Sequence, residues 1–141
     1  MKPIVRLAGL AVAAALLVTA CGGGGDSTDD AGSEGTTTEI TADAVEFSFG
    51  PDAWVVVAGG DVVLQFQNEG SELHTWVVLS SSIESEGELT EELIVFEISA
   101  EAGQALTISF AAPAAGTYQV ICSVPGHFAA GMKGRLTVTD R

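Results

Sequence analysis

From Thr38 to the C-terminus the chain is written in twos. Val62, Leu64 and Phe66 alternate with Val63, Gln65 and Gln67, and Leu106, Ile108 and Phe110 alternate with Ala105, Thr107 and Ser109. Tyr118, Val120 and Cys122 alternate with Gln119 and Ile121, and Leu136 and Val138 with Thr137 and Thr139. Successive side chains of a strand point to opposite faces, so this period marks strands with one buried face. Further strands are expected over Glu39–Ala42, Glu46–Phe49, Trp54–Val57 and His74–Leu79. Gly50-Pro51-Asp52, Gly59-Gly60-Asp61, Asn68-Glu69-Gly70, Ala102-Gly103-Gln104 and Ala114-Ala115-Gly116 read as the turns between them. Short strands at this spacing predict an all-β fold, an antiparallel Greek-key sandwich of seven to eight strands. Alternation fails over Ser80–Leu93 (SSSIESEGELTEEL), which reads as an excursion between strands with a short helix at Leu89–Leu93.

The strand pattern fills residues 38–141, one domain's worth in a chain of 141 residues. What precedes it is of another kind. Lys2 and Arg6 followed by the fourteen apolar residues Leu7–Ala20 have the form of a signal peptide (1–20), and the run is shorter than the ~20 residues a spanning helix needs. Val18-Thr19-Ala20-Cys21 resembles the lipobox of bacterial lipoproteins, so Cys21 is expected to carry lipid after cleavage. Ordinary secretory cleavage near Ala20 is the alternative. Residues 21–37 are rich in Gly, Ser, Thr and acid without apolar periodicity, hence a flexible tether, whose sixteen residues after Cys21 would span about 20–24 Å on average. The expected location is therefore the outer, periplasmic or extracytoplasmic, face of the cytoplasmic membrane, reached by export and held by lipid.

The net charge of −14, with five Lys and Arg in all, excludes nucleic acid as a partner, because phosphate binding needs clustered cations. The cysteine count is more telling. With Cys21 at the processing site, Cys122 has no partner for a disulfide, and an unpaired thiol in an oxidising compartment invites a metal as its occupant.

Cys122 lies in the run YQVICSVPGHFAAGMKGR, at even spacing from His127 and Met132. Pro125, Gly126, Gly131 and Gly134 make the stretch a tight connection between two strands, able to turn the three donors toward one point. His74, the chain's one other histidine, begins a strand at the end where it could meet that loop. Taken singly, such residues are usually core or surface. Taken together, two His, one Cys and a weak Met are the ligand set of blue-copper electron-transfer sites. A thiolate donates strongly, imidazoles suit both oxidation states, and a thioether favours the reduced ion. Zinc is the alternative metal, though Met is a poor fourth ligand for it.

The order His, then Cys-x₄-His-x₄-Met in the last loop, resembles the cupredoxin family over roughly Glu39–Asp140. That resemblance implies a Greek-key cupredoxin sandwich binding one copper, with His74, Cys122 and His127 as equatorial ligands and Met132 axial. Several relatives place Asn after the first histidine, where this chain has Thr75; its backbone N–H could still bond the Cys122 sulfur. Pro125 has no N–H and removes one possible donor to that sulfur.

The function expected is that of a monomeric one-electron carrier, not an enzyme, taking electrons from a membrane-bound donor complex. Its acceptor would be a c-type cytochrome, a reaction centre or a terminal oxidase. A copper-binding or copper-delivery lipoprotein is the alternative, weakened by the absence of Met-rich or multi-Cys sequence. Trp54 and Trp76 are expected in the core. Phe128, Ala129 and Ala130 could offer an apolar docking surface, and Glu84, Glu86, Glu88, Glu91 and Glu92 could steer a cationic partner.

Overall fold

The structure is a computed structural model and describes residues 35–141. The expected signal peptide, Cys21 and most of the tether lie outside the described residues. Nine strands follow in order: β1 (Thr37–Val45), β2 (Ser48–Gly50), β3 (Ala53–Val57), β4 (Asp61–Asn68), β5 (His74–Leu79), β6 (Ile94–Ala100), β7 (Ala105–Ala111), β8 (Gly116–Ile121) and β9 (Lys133–Thr139). They form two sheets, ordered β2-β1-β4-β7 and β3-β9-β8-β5-β6.

The all-β sandwich is as the alternation predicts, with two corrections. Strand β6 was not among the expected strands and brings the count to nine. Its inward residues Phe96, Ile98 and Ala100 do alternate with Val95, Glu97 and Ser99, but they follow the irregular excursion without a turn signal. The sheets are also mixed rather than antiparallel throughout, because β1 runs parallel to β4 and β3 parallel to β9. The excursion contains no α-helix; it has two single 3₁₀ turns, Glu86–Glu88 and Glu91–Leu93.

The main core lies between the sheets. Val62, Leu64 and Phe66 of β4 are fully buried against Trp76, Val78, Val120, Leu136 and Val138 of the opposite sheet. Trp54 and Trp76 meet edge to face with ring centroids 5.3 Å apart, and the Trp54 indole N–H donates to the Thr41 carbonyl at 2.7 Å. Both tryptophans are core residues, as expected.

All six residues of β5 are buried, so no alternation is visible there. The reason is a second apolar cluster on the sheet's outer face, where Val77, Leu79 and Ile121 pack with Ile83 of the excursion and Phe128. The excursion thus covers β5 and β8, and a strand covered on both faces reads as a continuous apolar run. Through Phe128 the segment between β8 and β9 joins that same cluster.

Candidate metal centre

His74 opens β5 and is fully buried. Cys122 lies one residue past β8, and its N–H donates to the Met132 carbonyl at 3.1 Å, closing the loop 122–132 at its base. Within the loop Met132 donates to the His127 carbonyl at 3.0 Å, and Ala130 to the Gly126 carbonyl at 2.9 Å. Gly126 and Gly131 adopt φ of 88° and 106°, conformations that side chains strongly disfavour. The glycines seen in the sequence therefore let the loop turn twice within a few residues.

The turns bring three donors together. His127 Nδ1 is 3.2 Å from His74 Nδ1 and 3.5 Å from Cys122 Sγ, and the His74 Nδ1 to Cys122 Sγ distance is 3.9 Å. Ligands at the usual metal–nitrogen and metal–thiolate lengths would stand about 3.3–3.8 Å apart, so the observed triangle fits a single ion. Cys122 is buried and has no disulfide partner among the described residues. Met132, also fully buried, ends the loop. Burial, followed by the proximity of His127, pushes His74 below the ordinary imidazole value, which favours the neutral form a metal requires.

Around the thiol the structure resolves the question raised by Thr75. Its backbone N–H points at Cys122 Sγ at 3.4 Å, and its Oγ1 lies 3.6 Å from the same sulfur. The hydroxyl also accepts the Ser123 N–H at 2.7 Å and sits 3.0 Å from Ser123 Oγ, which donates to Glu97 Oε1 at 3.2 Å. Thr75 therefore braces the strand carrying His74 against the segment carrying Cys122.

Several residues of the site were not singled out from the sequence. Asn68, fully buried, donates to the Glu72 carbonyl at 2.7 Å and the Ala100 carbonyl at 2.9 Å, and accepts from Gly70 N–H at 2.9 Å. Glu46 Oε1 accepts from Ser71 N–H at 2.6 Å, Ser71 Oγ at 3.2 Å and Glu72 N–H at 3.1 Å. These donors, the Ser71 N–H first, pull its carboxyl from an ordinary 4.5 down to about 2. Such roles depend on long-range contacts that a lone acid in a sequence does not announce.

Glu86, read from the sequence among the acids that could steer a cationic partner, has an internal task in the structure. Its carboxylate accepts from Gly126 N–H at 2.9 Å and from Ala129 N–H at 3.2 Å, which holds its pKa below the carboxylate norm. It ties the excursion to the loop that presents His127. Phe128 is turned inward into the second apolar cluster, leaving Ala129 and Ala130 at the surface. The exposed apolar side chain beside the imidazole is instead Phe47, whose ring meets His127 edge on at 4.9 Å and is 43% exposed.

A buried Cys and two His converging from a strand end and the last loop of a two-sheet sandwich define a mononuclear thiolate-imidazole metal protein. The chain belongs to the plastocyanin/azurin family of copper-binding proteins, whose family model matches residues 36–139. Copper is accordingly its cofactor, at the site of His74, Cys122, His127 and Met132. It is 31% identical over 126 residues to auracyanin-A of Chloroflexus aurantiacus, covering 77% of each chain. To auracyanin-B of the same organism it is 36% identical over 86 residues, 61% of this chain and 34% of that one, so the match spans about a third of that relative. The crystal structure of dithionite-reduced auracyanin from Roseiflexus castenholzii superposes with a TM-score of 0.66 at 26% identity, covering 74% of this chain and 99% of that one. Among the described residues, no helix is long and apolar enough to cross a membrane.

Proposed function

We propose that the protein is a membrane-anchored one-electron carrier rather than an enzyme. It would shuttle electrons between a donor complex of a respiratory or photosynthetic membrane and an acceptor such as a c-type cytochrome, a reaction centre or a terminal oxidase. The observation that carries this reading is the triangle of His74, Cys122 and His127 donors at 3.2–3.9 Å, which uses both histidines of the chain in one cluster. No histidine is left for a second copper centre of the kind a catalytic copper enzyme needs.

Copper held there supplies a Cu(I)/Cu(II) couple. His74, Cys122, His127 and Met132 would hold it, the thioether of Met132 as the weakest donor. The chain's own contribution is to hold the donors in place in either state. Strand β5 fixes His74, the hydrogen bonds of the 122–132 loop fix the other three, and Thr75 offers donors to the thiolate. Buried surroundings exclude water from the sulfur. His127, only 4% exposed, lies under the rim formed by Phe47 and Glu72 and offers the short path by which an electron would leave.

Anchoring rests on Cys21 and its lipobox-like setting, and the tether of residues 21–37 would let a monomeric domain search the outer membrane face. The acids of the excursion other than Glu86 are free to steer a cationic partner in a salt-sensitive way.

Copper loading followed by visible absorption and electron paramagnetic resonance tests the site. An intense thiolate-to-copper band with narrow hyperfine splitting is expected, and its absence from folded, copper-loaded protein would overturn the reading. Rapid reversible electron exchange with a c-type cytochrome supports the carrier role. Transfer of the copper itself to an apo-acceptor would favour the copper-delivery lipoprotein instead. Mass spectrometry of the membrane-bound N-terminus tests the acylated Cys21.

A further inference from the structure

Both imidazoles turn Nδ1 toward the common centre, so in a neutral ring the remaining proton belongs on Nε2. Each Nε2 faces a carboxylate. His127 Nε2 is 3.1 Å from Glu72 Oε2, and His74 Nε2, buried and without a hydrogen-bond partner among the described residues, is 3.6 Å from Glu46 Oε1. The two acids are linked. Glu46 accepts the Glu72 backbone N–H through the same oxygen that faces His74, and the Glu72 carbonyl is held by the buried Asn68. The arrangement is also built to close tolerance, because a Cβ at Gly70 would fall 2.6 Å from Glu46 Oε1 and 2.8 Å from His74 Nε2.

We propose that Glu46 and Glu72 form an outer carboxylate pair behind the two copper-ligand imidazoles, Glu72 orienting His127 through a hydrogen bond and Glu46 acting on His74 through its charge, and that the pair sets the potential of the site downward. The inference rests on the copper reading above. A carboxylate behind a ligand imidazole fixes the tautomer and raises the basicity of the ligating nitrogen. Two such charges favour the more positive oxidation state of the ion, so Cu(II) gains over Cu(I). Glu46 acts twice, once on His74 and once by pinning the segment between β4 and β5 that presents Glu72 to His127. Glu46 and Glu72 are thus positioning residues, acting through His74 and His127.

The test is the midpoint potential of copper-loaded protein by spectroelectrochemical titration, alongside ¹⁵N spectra of the histidine rings in the Cu(I) form. Glu72→Ala is expected to lower the ratio of Cu(II) to Cu(I) affinity about tenfold, a rise of ~59 mV for a one-electron couple. Glu72→Gln keeps an acceptor but loses the charge, and should fall between. Glu46→Gln should raise the potential as well and broaden the His127 Nε2–H signal as the segment between β4 and β5 loosens. Glu39→Gln, the same charge change at the far end of β1, is the control and should move the ratio less than about twofold. Glu72 bonds through its side chain to His127 alone among the described residues, so Glu72→Ala has little reason to unfold the domain. A blue Glu72→Ala protein with an unmoved potential and an unchanged ring spectrum overturns the pair. A parent protein that never develops the blue band defeats the copper reading first.

Discussion

The copper ligands come from two regions that are held in different ways. His74 is part of β5, a strand buried along its whole length between two apolar clusters, and its place is fixed by the sheet. Cys122, His127 and Met132 come from a loop, whose shape depends on a few backbone hydrogen bonds, two glycines with positive φ and a carboxylate borrowed from the excursion. The strand side can change only if the domain changes. The loop side can loosen on its own, since local opening draws on few buried contacts. A carrier benefits from the first and must restrain the second, because any ligand that moves on reduction adds to the cost of each electron transfer.

Cys122 joins the two regions, and its loss should have the largest effect. Cys122→Ser is expected to abolish the thiolate-to-copper band outright while the sandwich still folds, with the near-ultraviolet circular dichroism of the tryptophans retained. Next in size is damage to the strand side. Trp76 packs edge on with Trp54 and touches Phe96 and Phe110, so Trp76→Ala should cost about 3–5 kcal/mol of global stability. Chemical denaturation reads this directly. If only the loop amides responded, the contrast between a sheet-held and a loop-held ligand would be wrong.

Glu86→Gln probes the loop side and should be milder and local. The amides of Gly126 and Ala129 are expected to exchange with solvent faster, while the denaturation midpoint at neutral pH changes little. The pH dependence has a definite sign. Glu86 is held below its ordinary 4.5 by the Gly126 and Ala129 N–H groups, so its contribution is present above about pH 4.5 and is lost as pH falls through its lowered value. Glu46 follows the same sign, with its window running from 4.5 down to about 2. Hydrogen exchange of the loop should therefore differ between parent and Glu86→Gln protein above pH 4.5 and converge only as pH falls through the lowered value of Glu86. Parallel profiles at every pH would show that the excursion does not hold the loop.

How much of this was legible in the sequence differs between the same two regions. The loop announced itself, because Cys122, His127 and Met132 sit close together in the chain and their chemistry is local. His74 was found by elimination and by its place at a strand start. The sandwich followed from the period of two wherever one face is wet, as in β4 and β9. It failed at β6, where an exposed Val95 and a half-buried Ile94 blur the alternation just after an irregular segment. The bracing acids were invisible for a different reason. Glu46, Glu72 and Glu86 meet their partners 25 to 55 residues away in sequence, and an exposed glutamate that ties down a loop has the same composition signature as one that is merely solvated.

The smallest shift in potential is expected at the seam between the two regions. Thr75 follows the strand-borne histidine, yet its hydroxyl accepts the N–H of Ser123, the residue after the loop-borne cysteine. Thr75→Val keeps the shape and the backbone N–H at 3.4 Å from the sulfur, but removes the hydroxyl and leaves the Ser123 N–H without that acceptor. The site is buried, so the loss should be about 1–3 kcal/mol. One donor fewer near the thiolate lets sulfur give more charge to the oxidised ion, and the potential should fall slightly, opposite in sign to the change expected from Glu72→Ala. Thr75→Ser restores the oxygen and should recover most of both. A potential that does not fall in Thr75→Val would mean that the hydroxyl serves the Ser123 backbone alone, and that strand and loop are coupled through packing rather than through the sulfur.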